Sequence, residues 1–313
     1  MDNASVVTMF TLSGLNDISN YRLTVFSLTL LCYSMIWLVN LTIILTILFD
    51  KNLHEPMYIF LCNLCINALY GTSGFYPKFL IDLLSATHVI SHAGCFLQAF
   101  VLHSSACADL SILVLMSYDR YVAICRPLVY RLVMTKQRIS VLMLITWLIP
   151  LSLLFSSTMS TLTLKLCGSH IPKIYCVNFF INNLACSKSI TNKIIPAFNY
   201  SFYFCHFLFV ICSYMKLIRM CRASKENRRK FSQTCLPHLL CLMMFIICAL
   251  FDLMYMRFGS KNLSQHLENF MAVEYVLIPP LFNPVIYGLN LTKIRIRIQS
   301  VLCGKHAFFR KIS

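Results

Sequence analysis

The chain has 313 residues, 58% of them hydrophobic and only 12% charged, with a formal net charge of +16 and a mean hydropathy of +0.71. A soluble fold of this length cannot hide so much apolar surface, so composition excludes one and points to a membrane. The basic residues sit between apolar runs and not on a separate polar domain. They read as membrane topology and partner contact, and no nucleic-acid partner is expected.

Residues 1–21 are polar and lack the basic start and short apolar core of a cleavable signal. The first apolar run is therefore expected to act as its own insertion signal. Residues 1–22 form a tail, and residues 23–291 hold seven apolar stretches at 23–49, 57–84, 95–125, 139–164, 194–218, 231–256 and 271–291. Each is near or above the ~20 residues that span a bilayer. Lipid leaves an open chain no alternative to helix, so the expected fold is an all-α membrane protein, a seven-transmembrane helix bundle. Pro237 near the start of the sixth stretch predicts a kink or a delayed helix start.

The third stretch carries Asp109 and ends on Asp119-Arg120. A charged pair at the end of an apolar helix is costly in lipid and should face water or a partner. Basic residues set the orientation. With the amino terminus outside, the inner side holds more than twice as many Lys and Arg as the outer side, including Lys225, Arg228, Arg229 and Lys230. The sequon at Asn3 then lies outside and is the expected glycosylation site, ahead of Asn262.

Of the 16 cysteines, most lie inside apolar runs, where they are small hydrophobes. Cys95, Cys167, Cys176 and Cys186 fall outside the membrane, which suggests two disulfides, and three pairings are open. Residues 292–309 interleave Ile and Val with Lys and Arg, which fits an amphipathic helix on the inner leaflet or an ordinary tail through residue 313. Cys303 is then a candidate for palmitoylation. His88 and His92 have metal-ligand spacing but no third ligand nearby, so no metal and no cofactor is expected.

Seven spans and MSYDRYVAICRPLVY at residues 116–130 resemble the rhodopsin-like G-protein-coupled receptors, and within them the odorant (olfactory) receptors. LHEPMYIFLCNL at 53–64, SYMKLI at 213–218, KFSQTCLPHL at 230–239 and PPLFNPVIYGL at 279–289 resemble that family's other signatures, in its order. His54-Glu55-Pro56 and Thr292, Lys293 and Arg295 resemble its fish-type, or class I, branch most.

The resemblance implies roles for individual residues. Asp119, Arg120 and Tyr121 match the switch that engages a heterotrimeric G protein. Tyr214, Asn283, Pro284 and Tyr287 match the helix-five tyrosine and the helix-seven hinge, and Asn40 the buried helix-one asparagine. Cys95 pairs with Cys176, and Cys167 with Cys186. The pocket-facing positions are Leu102, His103, Ala106, Cys107, Phe202, Ile246, Leu250, Leu253, Val273 and Val276. They suit a small, largely apolar odorant.

Three positions depart from the pattern. Ala68 stands where the family has a buried aspartate, Ile246 where it has an aromatic, and Pro237 where Ser is common. A sodium site would then rest on Asp109 alone, a weak contact. His103 and Arg257 together suit the carboxylate of an acid ligand. The implied function is an odorant receptor in the plasma membrane that raises cAMP through a stimulatory G protein. The alternatives are a non-olfactory chemoreceptor of the same fold and a transporter, against which the lack of internal repeats speaks. Asp109, His103 and His238 are too scattered for a membrane enzyme.

Overall fold

The computed structural model describes residues 8–15, 21–187, 190–222, 225–258 and 265–302, without side chains at 220–234, 252–268 and 301–302. Asn3, Asn262 and Cys303 lie outside the described residues. So do the side chains of Lys225, Arg228, Arg229 and Lys230.

Seven long helices follow one another: α1 (Arg22–Phe49), α2 (Pro56–Leu84), α3 (His92–Cys125), α5 (Lys136–Leu162), α7 (Thr191–Arg222), α8 (Lys225–Phe258) and α9 (Gln265–Asn290). Three short ones accompany them among the described residues: α4 (Tyr130–Val133), α6 (Asn178–Asn183) and α10 (Thr292–Leu302). Each expected span falls on a long helix. α1, α3, α5, α7 and α9 contain segments long and apolar enough to cross a membrane. In α8 the apolar run is the shorter Cys235–Phe251.

The helix faces follow membrane logic. In α1, Ile36, Asn40, Ile43 and Ile47 are buried at helical spacing, while Leu31, Leu38 and Leu45 are exposed on another face. Exposed leucines in a stripe are what lipid requires. Helix α3 lies at the centre, against α2, α5, α7 and α8, and α9 closes the bundle against α1, α2 and α8. Close approach of α2 to α3 uses two glycines. A Cβ on Gly71 would lie 2.2 Å from Ser105 Oγ, and one on Gly74 would lie 2.6 Å from Val101 Cγ1. Local chemistry sets the helix starts. Pro56 occupies the first position of α2, the Ser91 hydroxyl accepts from Gly94 N at 3.2 Å, and Thr135 Oγ1 accepts from Arg138 N at 3.3 Å. Pro237 does not delay α8, which begins at Lys225.

One end of the bundle carries a small sheet that the all-α expectation omitted. Strands β1 (Met9–Leu12), β2 (Val89–Ser91) and β3 (His170–Ile171) lie in the order β2-β1-β3. β1 is antiparallel to β2 and parallel to β3, with Thr11 opposite both Val89 and His170. The amino-terminal segment is thus the central strand. Its Phe10 and Leu12 are buried with Ile90, Ile171 and the Cys95 and Cys176 side chains. His92 stacks on Phe10 at 5.7 Å, so the His88/His92 pair divides between a ring stack and a loop. At the opposite end α10 docks beside the α1–α2 turn. Lys293 Nζ meets Glu55 Oε1 at 2.7 Å, Arg297 Nε meets Asp50 Oδ2 at 3.3 Å, and Ile294 is buried.

His88 sits in the loop before β2, and burial lowers its pKa from the ordinary 6.5, with Asp82 partly opposing and Arg22 and Lys78 assisting. The unfolded chain then binds more protons than the folded one as pH falls through that value, so stability falls with it. We expect the melting temperature of nanodisc-embedded receptor to drop between pH 7 and pH 5, and His88→Gln to show a smaller drop. Equal drops in both would show that His88 does not matter.

Candidate functional site

At the end opposite the sheet, α3 finishes on the charged pair. Asp119 is 0% exposed, and a buried carboxylate requires donors. Arg120 Nε donates to Asp119 Oδ2 at 2.9 Å and Nη2 forms an ion pair with the same oxygen. The other oxygen accepts from Tyr130 Oη at 2.8 Å. Burial first, and the Asp119 carboxylate second, push the Tyr130 pKa up, which keeps the phenol a donor. Arg120 remains 12% exposed, at the mouth of the bundle. Tyr121 faces away toward α7, where Lys216 Nζ lies 6.0 Å from its ring centre.

Inside the bundle from this pair, polar side chains join helices. Tyr214 on α7 hydrogen-bonds His238 Nδ1 on α8, and His238 Nε2 lies 3.0 Å from the Leu113 carbonyl on α3. A carbonyl only accepts, so Nε2 carries the proton and Nδ1 accepts from Tyr214. Tyr287 on α9 is fully buried and points its hydroxyl at Met116 Sδ, 4.0 Å away. Pro284 has no N–H, which deprives the carbonyl of residue 280 of its helical donor. Asn40 Nδ2 supplies one, reaching Pro280 O at 2.8 Å. Asn283 is buried beside Pro284. Beside Ala68, Asn67 does the bonding: its Nδ2 donates to Ser105 O at 2.8 Å and to Asp109 Oδ1 at 2.6 Å. Tyr275 Oη donates to Asp109 Oδ2 at 3.5 Å. Two neutral donors therefore meet the Asp109 carboxylate.

Toward the sheet end lies a cavity of about 510 Å³. Its walls are His103 and Cys107 of α3, Leu154 and Ser157 of α5, Phe179 and three asparagines of α6, and Asn192 to Tyr203 of α7. Of the possible pairings, the structure has Cys95–Cys176 and Cys167–Cys186. The first ties the start of α6 to α3, and Gln98 Oε1 reinforces it by accepting from Cys176 N at 3.0 Å. The second closes the loop around α6, where Cys167 N donates to Leu184 O at 2.8 Å.

Among the positions expected to face a pocket, His103 and Cys107 reach this cavity. Leu102, Val273 and Val276 instead pack with Phe75 and Tyr175 between α2 and α9. Ile246 packs into the central core. Phe202 turns its ring onto Tyr203 and His206, and Ala106 is half-buried and does not line the cavity. Leu250 is 54% exposed and extends the outward stripe of Leu236, Leu240, Met243 and Ile247, so it faces out of the bundle. The side chains of Leu253 and Arg257 lie outside the described residues. Unforeseen were the contributions of Tyr130, of His238, and of the asparagines at 178, 182, 183, 192 and 199. The density of Asn between 178 and 199, on either side of apolar residues, was the available signal.

A bundle of seven long helices around α3, with a buried Asp-Arg pair at one end and a cavity nearer the other, defines a membrane receptor of the rhodopsin-like class. The olfactory receptor family model matches residues 29–305, and the chain belongs to that family. It is similar to human olfactory receptor 14A16, 32% identical over 97% of this chain and 99% of the relative. Human olfactory receptor 5F1 is 32% identical over 97% of both chains. Mouse olfactory receptor 6E1 is 31% identical over 94% of this chain and 95% of the relative. The chain is therefore a multi-pass plasma-membrane receptor and not an enzyme.

Removing one donor to a buried carboxylate should cost about 1.5–3 kcal/mol. Tyr130→Phe is expected to lower the melting temperature of purified receptor in nanodiscs, while Tyr121→Phe leaves it nearly unchanged. Equal effects of the two would deny Tyr130 its role at Asp119.

Proposed function

We propose that the chain is an odorant receptor that couples a small molecule in the sheet-end cavity to a heterotrimeric G protein of the stimulatory, olfactory type, raising cAMP. In this reading the sheet end is extracellular, and the Asp119 end and α10 are cytoplasmic. The excess of Lys and Arg on the latter side supports that orientation.

The observation that carries the proposal is the arrangement at Asp119. Arg120 is held by a carboxylate that Tyr130 also engages, at the mouth of the bundle. Two states follow from it. With the pair closed, the guanidinium is spent on Asp119. With the pair open, its planar fork is free to donate to a G-protein α subunit. A ligand drives the change only if it binds the open state better. The Tyr214–His238–Leu113 chain joins α7, α8 and α3 between cavity and pair. It supplies side-chain contacts that differ between the two states when these helices shift.

A carboxylic-acid ligand was suggested by His103 with Arg257. His103 lines the cavity, but Arg257 has no described side chain, so the pair lends that ligand class no geometric support.

Cells expressing the receptor with an olfactory-type G protein should raise cAMP in response to members of a panel of small volatile compounds. Arg120→Ala, at equal surface level, should lower the response by about tenfold or more, within the range of couplings between sites. A variant that signals like wild type would remove Arg120 from the output. Ion flux through the wild type without G protein would favour a transporter.

A further inference from the structure

The cavity wall presents hydrogen-bond acceptors. Asn178 and Asn199 are 8% and 9% exposed, both line the cavity, and the Oδ1 of each has no hydrogen-bond partner. Asn182 Oδ1, in the same wall, is likewise buried and unpartnered. The orientation of Asn199 is settled by its neighbour. Nδ2 donates to the Leu153 carbonyl at 3.4 Å, which only accepts, so the amide oxygen is the free end. Asn178 Nδ2 lies 3.4 Å from Thr158 Oγ1. His103 follows the same rule. Its Nδ1 sits 2.7 Å from Ala99 O, which only accepts, and so carries a proton. The wall also holds hydroxyls that can donate as well as accept, those of Ser157 and of Tyr203, the latter beside the Cys107 thiol.

Buried acceptors without donors are costly, and a ligand that supplies the donor recovers that cost. A carboxylate would gain the Lys193 ammonium at the wall but has no donor to give the buried asparagine oxygens. An ammonium has donors, but Lys193 is in the wall and no Asp or Glu lines the cavity among the described residues. A hydroxyl fits both demands. Its proton goes to an asparagine oxygen, and its own oxygen accepts from Tyr203 Oη or the Lys193 ammonium. The remainder of such a molecule meets Leu154, Phe179 and Pro196. A volume of about 510 Å³ is ample for a small odorant.

We propose that the cavity between α3, α5, α6 and α7 selects neutral hydroxylated molecules, alcohols or phenols with an apolar body, over acids and amines of the same skeleton. The proposal rests on the odorant-receptor reading for its biological meaning, but its test does not need a G protein.

Full-length receptor in nanodiscs is titrated, with thermal stabilisation as readout, against alcohol, methyl ether, carboxylate and amine built on octyl and on phenylethyl skeletons. The alcohol of at least one skeleton should stabilise at a concentration about tenfold or more below its ether, since a site built to bond a hydroxyl rejects the analogue lacking it. Acid and amine should be weaker than the alcohol. Asn199→Leu and Asn178→Leu should each erode the preference for alcohol over ether. If either variant fails to fold, the wild-type series decides. An ether as potent as its alcohol, a tighter acid or amine, or no alcohol binding at all overturns the proposal. In the last case the asparagine oxygens serve only bound water. A cAMP response to ethers, acids or amines at concentrations no higher than that of the matching alcohol would sink this inference and leave the odorant-receptor reading standing. Alcohols that bind but never raise cAMP would do the reverse.

Discussion

The cost of burying one carboxylate organises the Asp119 end of this receptor. Asp119 has no exposed surface, and in an apolar surround an unpaired charge is not tolerated. It must hold Arg120 and a hydroxyl from α4, so the end of α3 and the turn that follows it are built together. A pair of this kind adds little net stability, because desolvation offsets most of the attraction. Breaking it exposes both charges at once. Under the proposed G-protein coupling, that combination suits a switch better than a staple.

Elsewhere in the bundle, polar groups mend breaks in helical hydrogen bonding. Pro284 leaves a carbonyl without a donor inside a segment where water is scarce, and Asn40 supplies one from α1. The same economy shapes the centre. Asp109 on α3 is met from α2 by a neutral group, because Asn67 donates to it. Asparagine is suited to this, since it bonds without carrying a charge that would itself need a partner. His238 bridges α7 and α3 in its neutral form for the same reason.

The sheet end obeys different constraints. Short strands cannot hold a cavity wall alone, and two disulfides and the buried face of β1 anchor the loop that carries α6. Fixing that loop brings three asparagines against α3, α5 and α7. The amides of α7 turn to α5 to spend their donors, Asn199 on Leu153 O and Asn192 on Ser160 O. What they leave toward the cavity is oxygen.

The sequence by itself determined the membrane class, the seven helices and the family, because each rests on local composition or contiguous motif. Apolar stretches long enough to span must be helical, and MSYDRYVAICRPLVY stands unbroken in the chain. Only the tertiary structure decided which side chains meet. β1 is four residues in a polar tail, and it becomes a central strand solely through partners at 89–91 and 170–171. Tyr130 reaches Asp119 because the chain turns back after α3. Several of the pocket positions implied by the resemblance lie away from this cavity for a related reason. Whether Leu250 faces inward depends on the rotation of α8 about its own axis, and the outward stripe from Leu236 to Ile247 carries it to the outside. A uniformly apolar helix does not reveal that rotation, since lipid and core accept the same residues. The asparagines of the cavity were visible as residues and invisible as a site, because their meaning lies in which end of each amide the neighbouring helix consumes.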